Sequence, residues 1–149
     1  MSHIPGIFVV DGHSDTLWAA PREGRDWTKR SQVGQADLPR MREGGVNLQV
    51  LALFSDPAHK GTGYAVAALE MIDRFHTGLT DWHRAKSDAK EDSASSDIHI
   101  VTKASHIDLI GEGLGFLLSI EGGEALGGSL GALRTFHRLG VRALGLVWN

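Results

Sequence analysis

Short apolar runs alternate along this chain with longer mixed stretches, and the two kinds carry different periods. Ile7-Phe8-Val9-Val10 is a β-branched and aromatic run that predicts a buried strand, ending in the turn Asp11-Gly12-His13-Ser14-Asp15. Val46–Phe54 predicts a second strand. Its polar Asn47 and Gln49 read either as residues facing a barrel interior or, by preference, as core amides with local partners. Tyr64, Ala68, Met71, Ile72, Phe75, Leu79 and Trp82 recur at steps of three and four, which predicts a long amphipathic helix packed on the sheet. Gly115–Ile120 is another buried-strand pattern and runs directly into Glu121-Gly122-Gly123.

The intervening segments complete an alternation of strands and helices. Residues 18–35 are polar and contain glycine, so they read as a loop over the first strand's end, with Trp18 and Trp27 pinning it. Leu38–Glu43 predicts a short helix with Asp37 as N-cap and Gly44 as its stop. Lys86–Asp97 reads as a polar surface connection, Ile98–Val101 as a short strand, and Ala104–Ile110 as a short helix closed by Gly111. Ser129 is placed to cap a helix that buries Leu130, Leu133, Phe136 and Leu139 and ends at Gly140; Val141–Trp148 is then a fifth strand. Strand-helix alternation of this kind implies a parallel sheet with helical crossovers.

Composition narrows the chemistry more than the fold. At 149 residues the expectation is one domain with a proper core. A net charge of −3 gives no reason to invoke nucleic acid or an anionic membrane as a partner. With no cysteine, any metal site must be built from imidazole and carboxylate. The start lacks a signal-peptide pattern and no apolar run is long enough to span a bilayer, so the expected location is the cytoplasm.

Two strand ends carry metal-type ligands. His13 and Asp15 are two apart after the first strand, and strict alternation would aim both at one point, with Asp11 on the same parity as a partner or a turn cap. Glu121 closes the strand at 115–120, and parallel α/β folds gather their chemistry at this end of their strands. The competing interpretations are a polar turn for His13 and Asp15 and an N-cap or a solvated turn acid for Glu121. His76 and His83, seven apart on the long helix, are set aside as ligands because that helix packs outside the sheet.

The ordered segments Asp-Gly-His-Ser-Asp at 11–15, Ala-Asp-Leu-Pro-Arg-Met-Arg-Glu-Gly-Gly-Val at 36–46, Ile-Glu-Gly-Gly-Glu-Ala-Leu at 120–126 and Ser-Leu-Gly-Ala-Leu-Arg-Thr-Phe-His-Arg-Leu-Gly-Val-Arg at 129–142 resemble the amino-terminal half of the membrane dipeptidase (renal dipeptidase) family of zinc peptidases. The resemblance implies a metal-dependent-hydrolase (β/α)8 TIM-type barrel, present here as a partial, five-stranded barrel in which residues 1–149 are the amino-terminal part of one domain. A complete five-stranded doubly wound sheet is the alternative fold. The implied function is zinc-dependent hydrolysis of dipeptides by the full-length protein, with this chain inactive by itself. A non-catalytic α/β fragment or oligomerisation module is the alternative function.

In the family site, His13 and Asp15 match the first two ligands and Glu121 matches the carboxylate that bridges two zinc ions. Two ligand histidines and the substrate-gripping arginine and aspartate belong to the family's later strands, beyond position 149. Many members end the fifth strand in a histidine that polarises the substrate. This sequence has Trp148 followed by Asn149, which leaves that role without an owner and makes the pair pocket candidates. Unclosed strand edges also lead us to expect self-association.

Overall fold

Strands β1 (Val10–Ser14), β2 (Leu48–Phe54), β3 (Ile98–Ile100), β4 (Leu114–Glu121) and β5 (Val141–Gly145) form one sheet in which every pairing is parallel. The computed structural model describes residues 7–89, 98–111 and 113–147, so Trp148, Asn149 and the 90–97 part of the predicted polar connection lie outside the described residues. Helices α1 (Thr16–Arg22), α2 (Leu38–Glu43), α3 (Gly63–Asp88) and α4 (Leu130–Arg138) join the strands.

β2 occupies one edge of β4 along Gly115–Glu121. The other edge of β4 is shared: β3 pairs with Leu114–Phe116, and β5 pairs with Leu118–Glu121. The sheet is therefore four strands wide at its carboxyl end, in the order β1-β2-β4-β5, and β3 only fills in beneath β5. The order runs one way from β1 at the edge. A doubly wound sheet needs an internal reversal, with helices on both faces. Here Leu17 of α1, Leu38 and Met41 of α2, Phe75 of α3 and Phe136 of α4 all join one core with Leu51, Leu53, Phe116, Leu118 and Ile120. That one-sided arrangement matches an arc of a barrel, not a closed one, and removes the doubly wound alternative.

Local signals explain most elements. Asp37 caps α2 by accepting the Arg40 N–H at 2.9 Å, and Gly44 ends it. α3 buries Ala67, Ala68, Met71, Ile72, Phe75, Leu79 and Trp82, nearly the whole stripe read from the sequence. Trp27 is buried, stacked on Phe75 and edge-on to Phe116, so it pins the segment after α1 to α3. Asn47 and Gln49 are buried core amides; Gln49 has a local partner, while the partner of Asn47 lies 38 positions away. Asn47 Oδ1 accepts the Val9 N–H at 2.8 Å, and Gln49 Nε2 donates to the Val50 carbonyl at 3.1 Å.

Several boundaries and burials differ from expectation. β1 starts at Val10, not Ile7, and Ile7 to Val10 are exposed, because β1 is an edge strand with no described neighbour outside it. β5 stops at Gly145, leaving Leu146 72% and Val147 74% exposed. α4 buries only Phe136; Leu130, Leu133 and Leu139 remain exposed because no described element lies beside the helix on that side. Residues 18–22 of the predicted loop belong to helix α1, and β2 begins at Leu48 after Asn47 has bonded back to the chain at Val9. Residues 86–88 of the predicted connection belong to α3, and the helix expected over 104–110 is a 3-10 turn at Ala104–His106.

Candidate metal centre

β1 and β2 are not in simple register. Asp11 lies beside Gln49 and Ser14 beside Leu51, so β1 takes three steps where β2 takes two. An extra residue of this kind re-aims the side chains that follow it, so Asp11 and His13 do not share a face through strand alternation. Asp11 instead accepts the His13 N–H at 3.1 Å, bracing the irregular turn. Ser14 and the buried Thr16 share a hydroxyl hydrogen bond at 2.7 Å, and Asp15 occupies the N-cap position of α1.

Glu121 arrives from the other side of β2, which carries both strands. Phe54 of β2 pairs with Glu121 of β4, setting the acid at the same carboxyl end as His13. His13 Nε2 stands 3.6 Å from Asp15 Oδ1 and 3.4 Å from Glu121 Oε2, and ligand atoms of all three residues lie within 4.8 Å of one another. These distances exceed a normal charge-assisted hydrogen bond, about 2.7–2.9 Å. Two donors held about 2.1 Å from one zinc ion at a tetrahedral angle stand about 3.4 Å apart. The trio is thus spaced for a shared ion better than for direct hydrogen bonding, and one imidazole with two carboxylates is a donor set that suits zinc. No other such trio of His, Asp or Glu occurs among the described residues.

The electrostatics favour a cation here. Burial raises the Glu121 carboxyl above its ordinary value; His13, when charged, opposes the rise, and Asp15 adds to it. Two acids facing one another across an imidazole are relieved by positive charge between them. His13 and Asp15 are about half exposed and Glu121 is less so, which leaves the site open to solvent on one side.

Beside this group, Trp18 Nε1 donates to Asp56 Oδ2 at 3.0 Å, and Arg22 Nη2 donates to the same oxygen at 3.1 Å. The Arg22 guanidinium lies 4.3 Å from the Trp18 ring centre, and Trp18 meets Phe54 edge-on. The Ala58 N–H and the Trp18 indole, with Arg22 adding to them, hold the Asp56 carboxyl below its ordinary value against the opposing effect of burial. Trp18 therefore ties α1 to the end of β2. The sequence reading missed Asp56 and Ser55; their only signal was their place just past an apolar strand. His76 and His83 sit on α3 and are not part of the trio.

The sequence profile of the family described as membrane dipeptidase (peptidase family M19) matches residues 4–149. Human Dipeptidase 3 is 28% identical over 146 residues, covering 95% of this chain and 27% of the human protein. Among solved structures, a dipeptidase of family M19 superposes with a TM-score of 0.74 at 27% identity, covering 95% of this chain and 43% of that one. A metallopeptidase from Rhodobacter sphaeroides, liganded with a phosphinate mimic of the dipeptide L-Ala-D-Ala, superposes with a TM-score of 0.75 at 26% identity, covering 95% and 46%. The chain thus spans roughly a quarter of the human relative and under half of these solved chains. No helix among the described residues is long and apolar enough to cross a membrane. With a family profile matched along almost its whole length and metallopeptidase structures sharing its fold, this chain belongs to the membrane dipeptidase family, peptidase family M19.

Proposed function

We propose that residues 1–149 are the amino-terminal part of one (β/α)8 barrel domain whose complete form hydrolyses dipeptides with zinc, and that His13, Asp15 and Glu121 hold the metal. The observation that carries this is the spacing of the three donors: 3.4 and 3.6 Å from His13 Nε2 to Glu121 and Asp15. The dipeptide as substrate class draws on the L-Ala-D-Ala mimic bound by the Rhodobacter sphaeroides relative. Bound at this position, zinc supplies Lewis acidity, acidifying water and polarising a carbonyl.

The chain's own residues set the conditions for that chemistry. His13 presents Nε2, so its proton belongs on Nδ1 when the ring serves as a neutral ligand. Asp11 holds the His13 backbone, and Asp15 is fixed by its place at the start of α1. In the complete barrel Glu121 would also help to hold a second zinc ion, which would need further donors from the family's later strands and would add Lewis acidity. The three donors by themselves make one exchangeable zinc site, and the chain alone does not turn over dipeptide.

Metal analysis of the purified 149-residue chain, paired with an L-Ala-D-Ala hydrolysis assay, tests this. We expect at most one zinc per chain, lost in His13→Ala, and no turnover. Two tightly held zinc ions with turnover would show the chain to be sufficient. Neither zinc nor turnover would leave a non-catalytic module as the better reading.

A further inference from the structure

β4 does not simply stop at Glu121; the turn that follows is held from both flanks. On the β2 side, the Ser55 N–H donates to the Glu121 carbonyl at 2.9 Å, and Ser55 Oγ donates to the Gly122 carbonyl at 3.0 Å. On the β5 side, the Gly122 N–H donates to the Gly145 carbonyl and the Gly123 N–H to the Leu146 carbonyl, both at 3.1 Å. Gly122 has φ +92, a conformation that favours glycine, and a Cβ added there would stand 2.9 Å from Ser55 Cβ. Ser55 is only 5% exposed, so its hydroxyl has a fixed partner and little access to water as a substitute.

From this geometry we infer that Ser55 is a positioning residue for the metal site: its buried hydroxyl locks the Gly122 peptide and thereby aims the Glu121 carboxylate at His13 and Asp15. The inference rests on the zinc reading above and adds to it a residue that touches neither metal nor substrate. Removing the hydroxyl leaves the Gly122 carbonyl without its donor in a buried place, and the peptide is then held only from the β5 side, through the Gly123 N–H to the Leu146 carbonyl. The backbone bond from Ser55 survives the substitution, so the strand pairing stays while the aim of the carboxylate loosens. Groups that orient a metal ligand in this indirect way typically contribute about 10–100-fold in metal affinity.

The test compares zinc affinity, by competition with a chromophoric chelator, in the wild-type chain, Ser55→Ala, Ser55→Thr and Glu121→Gln. Thermal unfolding without metal runs alongside, and cobalt(II) spectra report the ligand geometry. We expect Ser55→Ala to bind zinc about 10-fold or more weakly, with altered cobalt bands, while the metal-free chain still folds, its melting temperature lowered only by the loss of one buried hydrogen bond. Ser55→Thr, which keeps the hydroxyl, retains affinity and spectrum. Wild-type affinity and spectrum in Ser55→Ala, while Glu121→Gln loses zinc, would overturn the positioning role alone. Equal zinc binding by wild type and Glu121→Gln, or none by wild type, would bring down the metal reading and this inference with it. A weakening in Ser55→Ala matched by an equal fall in metal-free stability, and not rescued in Ser55→Thr, would reduce Ser55 to a structural residue and also overturn the inference.

Discussion

Gly78→Ala sets two ordinary effects against each other, and the structure decides between them. Gly78 lies inside α3, where alanine normally gains about 1 kcal/mol over glycine. An added Cβ, however, would stand 2.6 Å from Trp27 Nε1 and 3.0 Å from both Trp27 Cε2 and Thr28 Cγ2. The indole has nowhere to retreat: Phe75 stacks on one side, Phe116 meets it edge-on, and Nε1 reaches toward the Arg74 carbonyl at 3.4 Å. Overpacking a filled site costs about 1–3 kcal/mol. The net expectation is a loss of about 1 kcal/mol, opposite in sign to helix propensity. In a Trp27→Phe background, where Nε1 and its ring are gone, the same substitution becomes neutral or stabilising, a coupling of about 1–2 kcal/mol. Urea unfolding of the four variants by circular dichroism, at low protein concentration, measures the cycle. A stabilising Gly78→Ala in the wild-type background, or equal effects in both backgrounds, would refute the close-packing account.

Asp37→Ala should destabilise the fold by about 2 kcal/mol, since the buried carboxylate accepts from the Arg40 and Ser31 N–H groups and pairs with the Arg40 guanidinium. Burial alone would raise the Asp37 carboxyl, but those hydrogen bonds outweigh it and hold the group below its ordinary value. Its stabilising contribution is therefore present above the unfolded value near pH 4 and is lost as pH falls through the lowered folded value. Urea midpoints of wild type and Asp37→Ala should converge on acidification from about pH 6 to about pH 3; a constant gap would be contrary to this. Zinc at about 100-fold over its dissociation constant should stabilise the wild-type chain by about 2.7 kcal/mol, and a chelator, or His13→Ala, should remove that increment. The chain should also self-associate, because Ile7, Phe8, Val9 and Val10 at one edge and Leu146 and Val147 at the other are exposed; a monodisperse monomer in light scattering would contradict this.

Elements whose cause is local were legible in the sequence. The α3 stripe needs only a helical period and one apolar surface to meet, and α2 needs only a capping aspartate and a terminal glycine. The burial of α4 and β5 was misread for a complementary reason. Their apolar residues follow the correct period, but burial depends on what lies opposite, and no described element covers Leu130, Leu146 or Val147. Periodicity reports the face a segment offers. It does not report whether anything occupies it.

The candidate metal trio shows the same division at finer scale. That His13, Asp15 and Glu121 sit at one end of the sheet followed from strand direction, because every strand is parallel and each acid or imidazole closes an apolar run. The reason first given for His13 and Asp15, alternation along a regular strand, does not reach Asp15, which lies past the last residue of β1 at the N-cap of α1. The brace that stabilises this irregular turn, Asp11 to the His13 N–H, forms only once the turn exists. Ser55 was less visible still, because its hydroxyl acts across two strands, on a carbonyl 67 positions away. A residue that positions a ligand through the backbone of another strand leaves no spacing to read. If Ser55→Ala alters zinc affinity while leaving the metal-free fold intact, the precision of this site depends on contacts that only the assembled sheet brings together.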